Sequence, residues 1–249
     1  MIGHYSAGKE IVCLLIPTIG RLSSLLNTIN TFQASSYRQT TVIVIVDDGR
    51  QEYFRQVKQL VHGHKLKNVF LFYNSKRLGW PRSMNKILKA SDFDLYLYGS
   101  DDLTFYNNTI KNAVGFMHDY FPDGDGVIGL AQNLKHYCPA AFGLVGRKFI
   151  ERFPDRQLFW PHYIHFCGDS ELWYFAKSID LFKFCATAKV HHDRPMDAGK
   201  KLAQTSLRKD RELWWKKKGK KNLYWGNTFL TPADLVNETP CRQWNRTSI

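Results

Sequence analysis

The sequence predicts an α/β fold built on a mostly parallel sheet, and three observations carry that expectation. Short apolar runs alternate with helical periodicities through the first hundred residues, a succession that puts helices on the faces of a parallel sheet. Two of those runs, 42–46 and 96–98, lead into the carboxylate pairs Asp47-Asp48 and Asp101-Asp102. The carboxyl edge of such a sheet is where open α/β folds bind ligands. No internal repeat or low-complexity linker divides the chain.

Each element has its own signal. Residues 11–16 are continuously apolar and stop at Pro17, as a buried strand does. Leu22, Leu25, Leu26 and Ile29 recur at helical spacing and make 20–33 an amphipathic helix. A strand at 41–47, a helix at 51–61 and a strand at 69–72 follow. Met84, Ile87 and Leu88 mark a helix over 81–89 with Pro81 in its first turn, and 94–99 is the next strand. In the second half, 124–130 and 140–145 read as strands, and 147–152 reads as a short helix. An aromatic loop at 158–166 precedes a helix over 168–177, and a strand over 182–190 ends at His191-His192. A last helix, 202–217, carries Trp214-Trp215, and a tail with Pro232 and Pro240 closes the chain.

With 249 residues, 44% hydrophobic and 23% charged, the chain has the composition of a soluble globular protein able to bury a core. No apolar run reaches the roughly 18 residues of a membrane span, and residues 1–10 lack a signal-peptide core. The five cysteines (Cys13, Cys138, Cys167, Cys185, Cys241) are scattered and form no C-x-x-C pair. That pattern points to reduced thiols in a cytoplasmic setting, or a host cytoplasm for a virus-encoded chain. The Asn-x-Thr triplets at Asn107, Asn237 and Asn245 then carry no weight as glycosylation acceptors. The net charge of +13 is concentrated, with ten basic residues between Lys200 and Lys221 against Asp210 and Glu212. Such a cluster signals a polyanionic partner, either nucleic acid or an acidic membrane surface.

Four carboxylates at one sheet edge suit a hard divalent cation, since Mg²⁺ and Mn²⁺ prefer oxygen ligands. Asp is also common in turns, and one pair alone would read as a solvated junction. Asp169 sits at the start of a helix, where a carboxylate either serves as a base or only favours the helix dipole. Because strand side chains alternate, only one of His191 and His192 can face the site. Arg77 and Arg82 flank Gly79 and are placed to reach a phosphate.

These motifs together resemble the family 2 glycosyltransferases of the GT-A (Rossmann-like) fold, over roughly residues 10 to 195. The residues that carry the resemblance are Pro17-Thr18 after the first strand, Val46-Asp47-Asp48-Gly49, and Asn74, Gly79 and Asn85. To these add Gly99-Ser100-Asp101-Asp102, Gly168-Asp169-Ser170-Glu171-Leu172 and Val190-His191-His192. The resemblance implies a single catalytic domain over 1–199, with a nucleotide-sugar-binding half (1–100) and an acceptor half (101–199). Residues 200–249 are expected to form a basic helical extension. It implies donor contacts from Pro17, Thr18, Arg21, Asp47, Asp48, Arg77, Gly79, Arg82, Asn85 and Ser100, and Asp169 as catalytic base. A Mn²⁺ or Mg²⁺ ion would be held by Asp101, first in order, with Asp102 and His192. Gly99 replaces the first Asp of the D-x-D motif, and Gly168 replaces the Glu of the E-D pair.

The expected activity is an inverting, metal-dependent transfer of a hexosyl or pentosyl unit from a UDP-sugar to an acceptor hydroxyl. A nucleotidyltransferase would need a Gly-rich phosphate loop after the first strand, which residues 16–20 lack. A non-catalytic nucleic-acid-binding module is the third class. Trp160 and His165 are expected at the acceptor. Lys216, Lys217 and Lys218 are expected free to meet an anion, while Trp214 and Trp215 pack back on the domain. The missing membrane span, the basic cluster and the aromatics Trp214, Trp215, Tyr224 and Trp225 place a hydroxymethylated pyrimidine in DNA slightly ahead of an envelope or lipid-linked glycan. The alternative expectation for the same basic helix is that it lies on an anionic membrane, with its tryptophans at the interface.

Overall fold

A computed structural model describes residues 10–35, 37, 39–133, 138–219 and 224–226. Lys220, Lys221, Pro232, Asn237, Pro240, Cys241 and Asn245 lie outside the described residues.

The first half alternates as its periodicity requires: β1 (Val12–Thr18), α1 (Leu22–Gln33), β2 (Thr40–Val46), α2 (Gln51–Gly63), β3 (Val69–Tyr73), α3 (Trp80–Ala90) and β4 (Leu95–Tyr98). The second half contains β5 (Leu103–Phe105), α4 (Thr109–Tyr120), β6 (Val127–Gln132), β7 (Gly143–Gly146), α5 (Arg147–Ile150), α6 (Gly168–Ser178), β8 (Phe182–His192), α7 (Ala198–Gln204) and α8 (Leu207–Gly219). All eight strands form one sheet in the order β3-β2-β1-β4-β7-β6-β8-β5. The β1–β2, β1–β4, β2–β3 and β6–β8 pairs are parallel, and β4–β7, β6–β7 and β5–β8 are antiparallel.

Strands β1 and β2 are buried on both faces, which is why they read as unbroken apolar runs. The alternate side chains of β1 feed two cores. Leu14 and Ile16 pack against α1 and Phe32, while Cys13 and Leu15 pack against α3 and the aromatic loop. Pro17 does not end β1, contrary to the sequence reading. The last bond to β4 is Gly99 N–H to Leu15 O, and Thr18 O accepts from Asp47 N–H on the β2 side. By alternation the missing Pro17 N–H faces the side that β4 has already left, so no ladder bond is lost.

The single helix expected over 202–217 is two, α7 and α8, broken at Thr205-Ser206. Helix α8 also packs into the second core, with Trp214 and Lys217 buried. Among the described residues no helix is long and apolar enough to cross a membrane.

Candidate functional site

Strands β1, β2 and β4 run parallel, so Thr18, Asp47-Asp48 and Asp101-Asp102 leave the sheet at one edge. The two acidic pairs then do different things. Asp47 is buried and accepts from Leu78 N (2.7 Å), Gly79 N (2.8 Å) and Asn74 Nδ2 (3.0 Å). Burial raises its pKa and these bonds pull it back. Its carboxylate therefore shapes the 74–79 loop. Asp48 accepts from Arg50 N and Nε at the start of α2.

Asp101 and Asp102 sit in an ionic network centred on Arg21. Arg21 Nη1 lies 3.0 Å from Asp101 Oδ1 and 2.8 Å from Asp102 Oδ2, while Nε and Nη2 grip both oxygens of Asp197 at 2.6 and 3.0 Å. Asp197 also caps α7 through Lys200 N (2.8 Å). The second oxygen of Asp101 accepts from Thr18 Oγ1 at 2.7 Å. Asp102 Oδ1 instead faces His192 Nε2 at 3.3 Å and accepts from Ser100 Oγ. The topology makes that meeting. Strand β5 begins immediately after Asp102, and its register pairs Leu103 with His192.

The adjacent carboxylates titrate far apart. Burial and the neighbouring Asp102 charge push Asp101 up to about 6 against the pull of Arg21. Burial acts on Asp102 too, but the bond and charge of His192, with Ser100 and Arg21, hold it down to about 2. Asp102 is thus the committed anion of the pair. The sequence reading put Asp101 first; Thr18 and Arg21 engage its two oxygens, as Ser100 and Arg21 engage those of Asp102, and only Asp102 has a histidine beside it.

Among the described residues no three His, Cys, Asp or Glu side chains converge into a complete metal cage. Asp102 and His192 fit a cation nonetheless. Their 3.3 Å separation matches neighbouring ligands about 2.1 Å from one ion. Mg²⁺ commonly takes only one or two protein groups and completes its shell with phosphates and water.

Asp169 lies in the first turn of α6, half-buried, with Ser170 Oγ 3.5 Å from its Oδ1. Desolvation raises its pKa. Trp80 lies beside residues that are close to each of these carboxylate groups in sequence. Its indole Nε1 donates to Gly99 O at 3.3 Å, and its ring packs on Phe159 at 4.5 Å, beside the bare Cα of Gly168. A Cβ on Gly79 would lie 2.2 Å from Ile164 O, so only glycine allows α3 to start against the aromatic loop.

That loop is fastened from two sides. Asn85 is paired with the backbone of Phe159, donating to its O at 2.6 Å and accepting from its N at 3.0 Å, and Arg82 Nε donates to Pro161 O at 2.6 Å. Both had been expected at the donor. From the other side, Ile164 N, His165 N and Phe166 N donate to the carboxylate of Asp210 on α8 at 2.9, 2.8 and 2.9 Å. Asp210 is fully buried. Asp210→Ala is therefore expected to cost about 3 kcal/mol, since three backbone donors lose their acceptor. The exposed Arg208→Ala on the same helix should stay within about 0.5 kcal/mol. Equal urea midpoints for the two variants would remove this role.

Lys217, expected at the surface, is 0% exposed and bonds Glu171 on α6. Its Nζ lies 3.8 Å from the centroid of the Trp160 ring. Burial pushes Lys217 down to about 8 against the pull of Glu171. Glu171 also accepts from Trp225 N at 2.7 Å. Trp160 is accordingly core, 1% exposed, where an acceptor contact had been expected. Lys217→Met strands Glu171 and is expected to cost about 3–5 kcal/mol in urea unfolding; a loss below about 1 kcal/mol would sink the claim.

Lys218 lies over the Tyr174 ring at 4.6 Å and Trp215 at 5.2 Å, and Lys216 is half-buried. His165 is held down to about 4 by burial and by the charges of Arg77 and Lys200, so Arg77 and Lys200 stand near it beside the Arg21 network. Pro17 is half-buried at the end of β1. The sequence reading missed Trp80, Asp197, Lys200 and Asp210. Of these only Asp197 carried a local signal, as an acidic residue opening a helix.

The glycosyl transferase family 2 model matches residues 13–180. No curated protein sequence matches the chain. Among solved structures, the mannosyltransferase PcManGT from Pyrobaculum calidifontis, in complex with GDP-Man and Mn²⁺, is similar at TM-score 0.66 and 13% identity. That match covers 92% of this chain and 67% of the other. S. aureus TarS (residues 1–349) is similar at TM-score 0.57 and 14% identity, over 73% of this chain and 60% of that one. GalNAc-T7 with UDP, GalNAc and Mn²⁺ is similar at TM-score 0.60 and 13% identity, over 76% and 45%. The chain thus spans less than two thirds of the latter two proteins. The family match takes in strands β1 to β7, the Asp101-Asp102 edge and Asp169, and with the fold these structures share it shows that the chain belongs to the family 2 glycosyltransferases of GT-A type.

Proposed function

We propose that this glycosyltransferase moves a sugar from a nucleotide-sugar to an acceptor hydroxyl by in-line displacement, with Asp169 as the base. The observation that carries the reading is the Asp102–His192 pair at 3.3 Å at the sheet edge, together with Asp169, a half-buried carboxylate of raised pKa at the start of α6. The attacking hydroxyl must lose its proton, and a desolvated carboxylate is suited to take it. Asp102 and His192 would hold a divalent cation, which when bound neutralises the charge of the departing diphosphate. Arg21, Arg77 and Lys200 add positive charge on the same side. Asp101, with Thr18, keeps Arg21 in place. Attack opposite the leaving group gives inversion.

UDP-sugars are the first donors to test, with GDP-sugars beside them, since the similar structures hold UDP in one case and GDP-Man in another. A thermal-shift screen with Mn²⁺ should find one nucleotide-sugar that raises the melting temperature by mass action, followed by slow metal-dependent hydrolysis. Neither effect with any donor would end the reading. The four described cysteines are free thiols, which supports a cytoplasmic site of action.

A DNA acceptor retains the exposed Lys201, Arg208 and Lys209 as support. It loses Lys217, Trp214, Tyr224 and Trp225, which are all interior. The glycan acceptor gains from the surface described next.

A further inference from the structure

A groove of about 560 Å³ lies against α6 and β8, lined by Pro139, Trp173, Lys177, Asp180, Phe182 and Phe184. Its volume falls within the range of about 300–1,000 Å³ usual for small-molecule sites. Three aromatic side chains form its apolar surface. Phe182 and Phe184 are two apart on β8 and so share a face, and Phe184 is 39% exposed. Trp173 carries Lys177 Nζ at 5.4 Å from its centroid. Gly129 on β6 makes the floor possible, because a Cβ there would lie 2.1 Å from Pro139 O and 2.8 Å from the Phe182 ring.

The groove lies along α6, the helix that bears the candidate base. Asp169, Trp173 and Lys177 are spaced four apart on α6 and lie on one face of it. On the opposite wall, Cys138 adjoins Pro139 and stands near Ser170 and Asp169. Trp173 is thus one helical turn from the candidate base, on the same face of α6.

The charges that border the groove are one cation and one anion, Lys177 and Asp180, which balance. A polyanionic strand needs cations to neutralise successive phosphates, and this surface offers no surplus. A neutral saccharide suits it better, because the apolar face of a sugar ring covers an aromatic side chain while its hydroxyls reach the charged rim. We infer that the Trp173–Phe184 groove is an acceptor subsite for a neutral saccharide unit adjoining the hydroxyl that Asp169 deprotonates. This rests on the reading of Asp169 given above.

The test uses the full chain and a panel of neutral di- and trisaccharides (maltose, cellobiose, lactose, mannobiose, chitotriose), read by saturation-transfer NMR and tryptophan fluorescence. At least one probe should bind, about tenfold more weakly in Trp173→Ala and with most of its affinity restored in Trp173→Phe, which keeps a flat ring. No binding across the panel, or equal affinity in wild type and Trp173→Ala, overturns the inference. A single-stranded oligonucleotide that binds in place of the saccharides and is lost in Trp173→Ala overturns it in favour of base stacking. Metal-dependent donor hydrolysis by the wild-type chain tests the underlying reading separately, since it needs no acceptor.

Discussion

Asp169→Asn is expected to lower kcat for transfer by about 10²–10⁴, the usual contribution of a positioned base, while donor binding persists. The substitution keeps the size of the side chain and its place in α6 but removes the proton acceptor. The pH profile gives a second readout. Desolvation raises the Asp169 pKa above the ordinary carboxylate value of about 3.9. The base works ionised, so kcat/KM should climb as pH rises through that raised value and level off above it. In the Asn variant this acid limb should vanish, with a donor-induced thermal shift still present. Near-normal turnover in the variant would move the base to another residue.

Asp102→Asn is expected to reduce transfer by about 10³, because the several kcal/mol of charge stabilisation that a cation supplies depends on the anion beside His192. A chelator acting on the wild-type chain should produce a loss of similar size, reversed by Mn²⁺. The variant should need far more Mn²⁺ for half-maximal donor hydrolysis, and His192→Ala should behave alike. Asp101→Ala also disables transfer, but by releasing Thr18 and Arg21, whose bonds to Asp101 measure 2.7 and 3.0 Å. Its Mn²⁺ requirement should therefore shift less than that of Asp102→Asn. If Asp101→Ala shifted the Mn²⁺ requirement more, the original order of ligands would stand.

The parallel half was legible because β1 and β2 are buried on both faces and their helices are amphipathic, so each element announced its own period. Helix α4 was overlooked although Ile110, Ala113, Val114 and Met117, all buried, recur at helical spacing. Strand β5 has three residues, too few for any alternation to show. In the site, the acidic edge and the Asp169 helix could be read because each motif is local. The bonds that Asn85 and Arg82 make to the aromatic loop could not, since their partners Phe159 and Pro161 lie 74 and 79 residues away. The lysine run 216–218 misled for a related reason. Solvent exposure was assumed for all three, but Glu171, 46 residues earlier, draws the middle one inward.

The two buried ties of α8 also bear on the birth of the enzyme. A chain made from its amino end folds in that order, and β1 to β4 with α1 to α3 have the local connections needed to assemble early. The loop before Asp169 and the helix that bears it are a different matter. Their anchors, Asp210 and Lys217, each close a loop of 46 residues and reach the nascent chain late. Until residue 217 has been added, the growing polypeptide can hold a finished sheet edge and still lack a fixed base, so the capacity for chemistry has to wait for the making of α8.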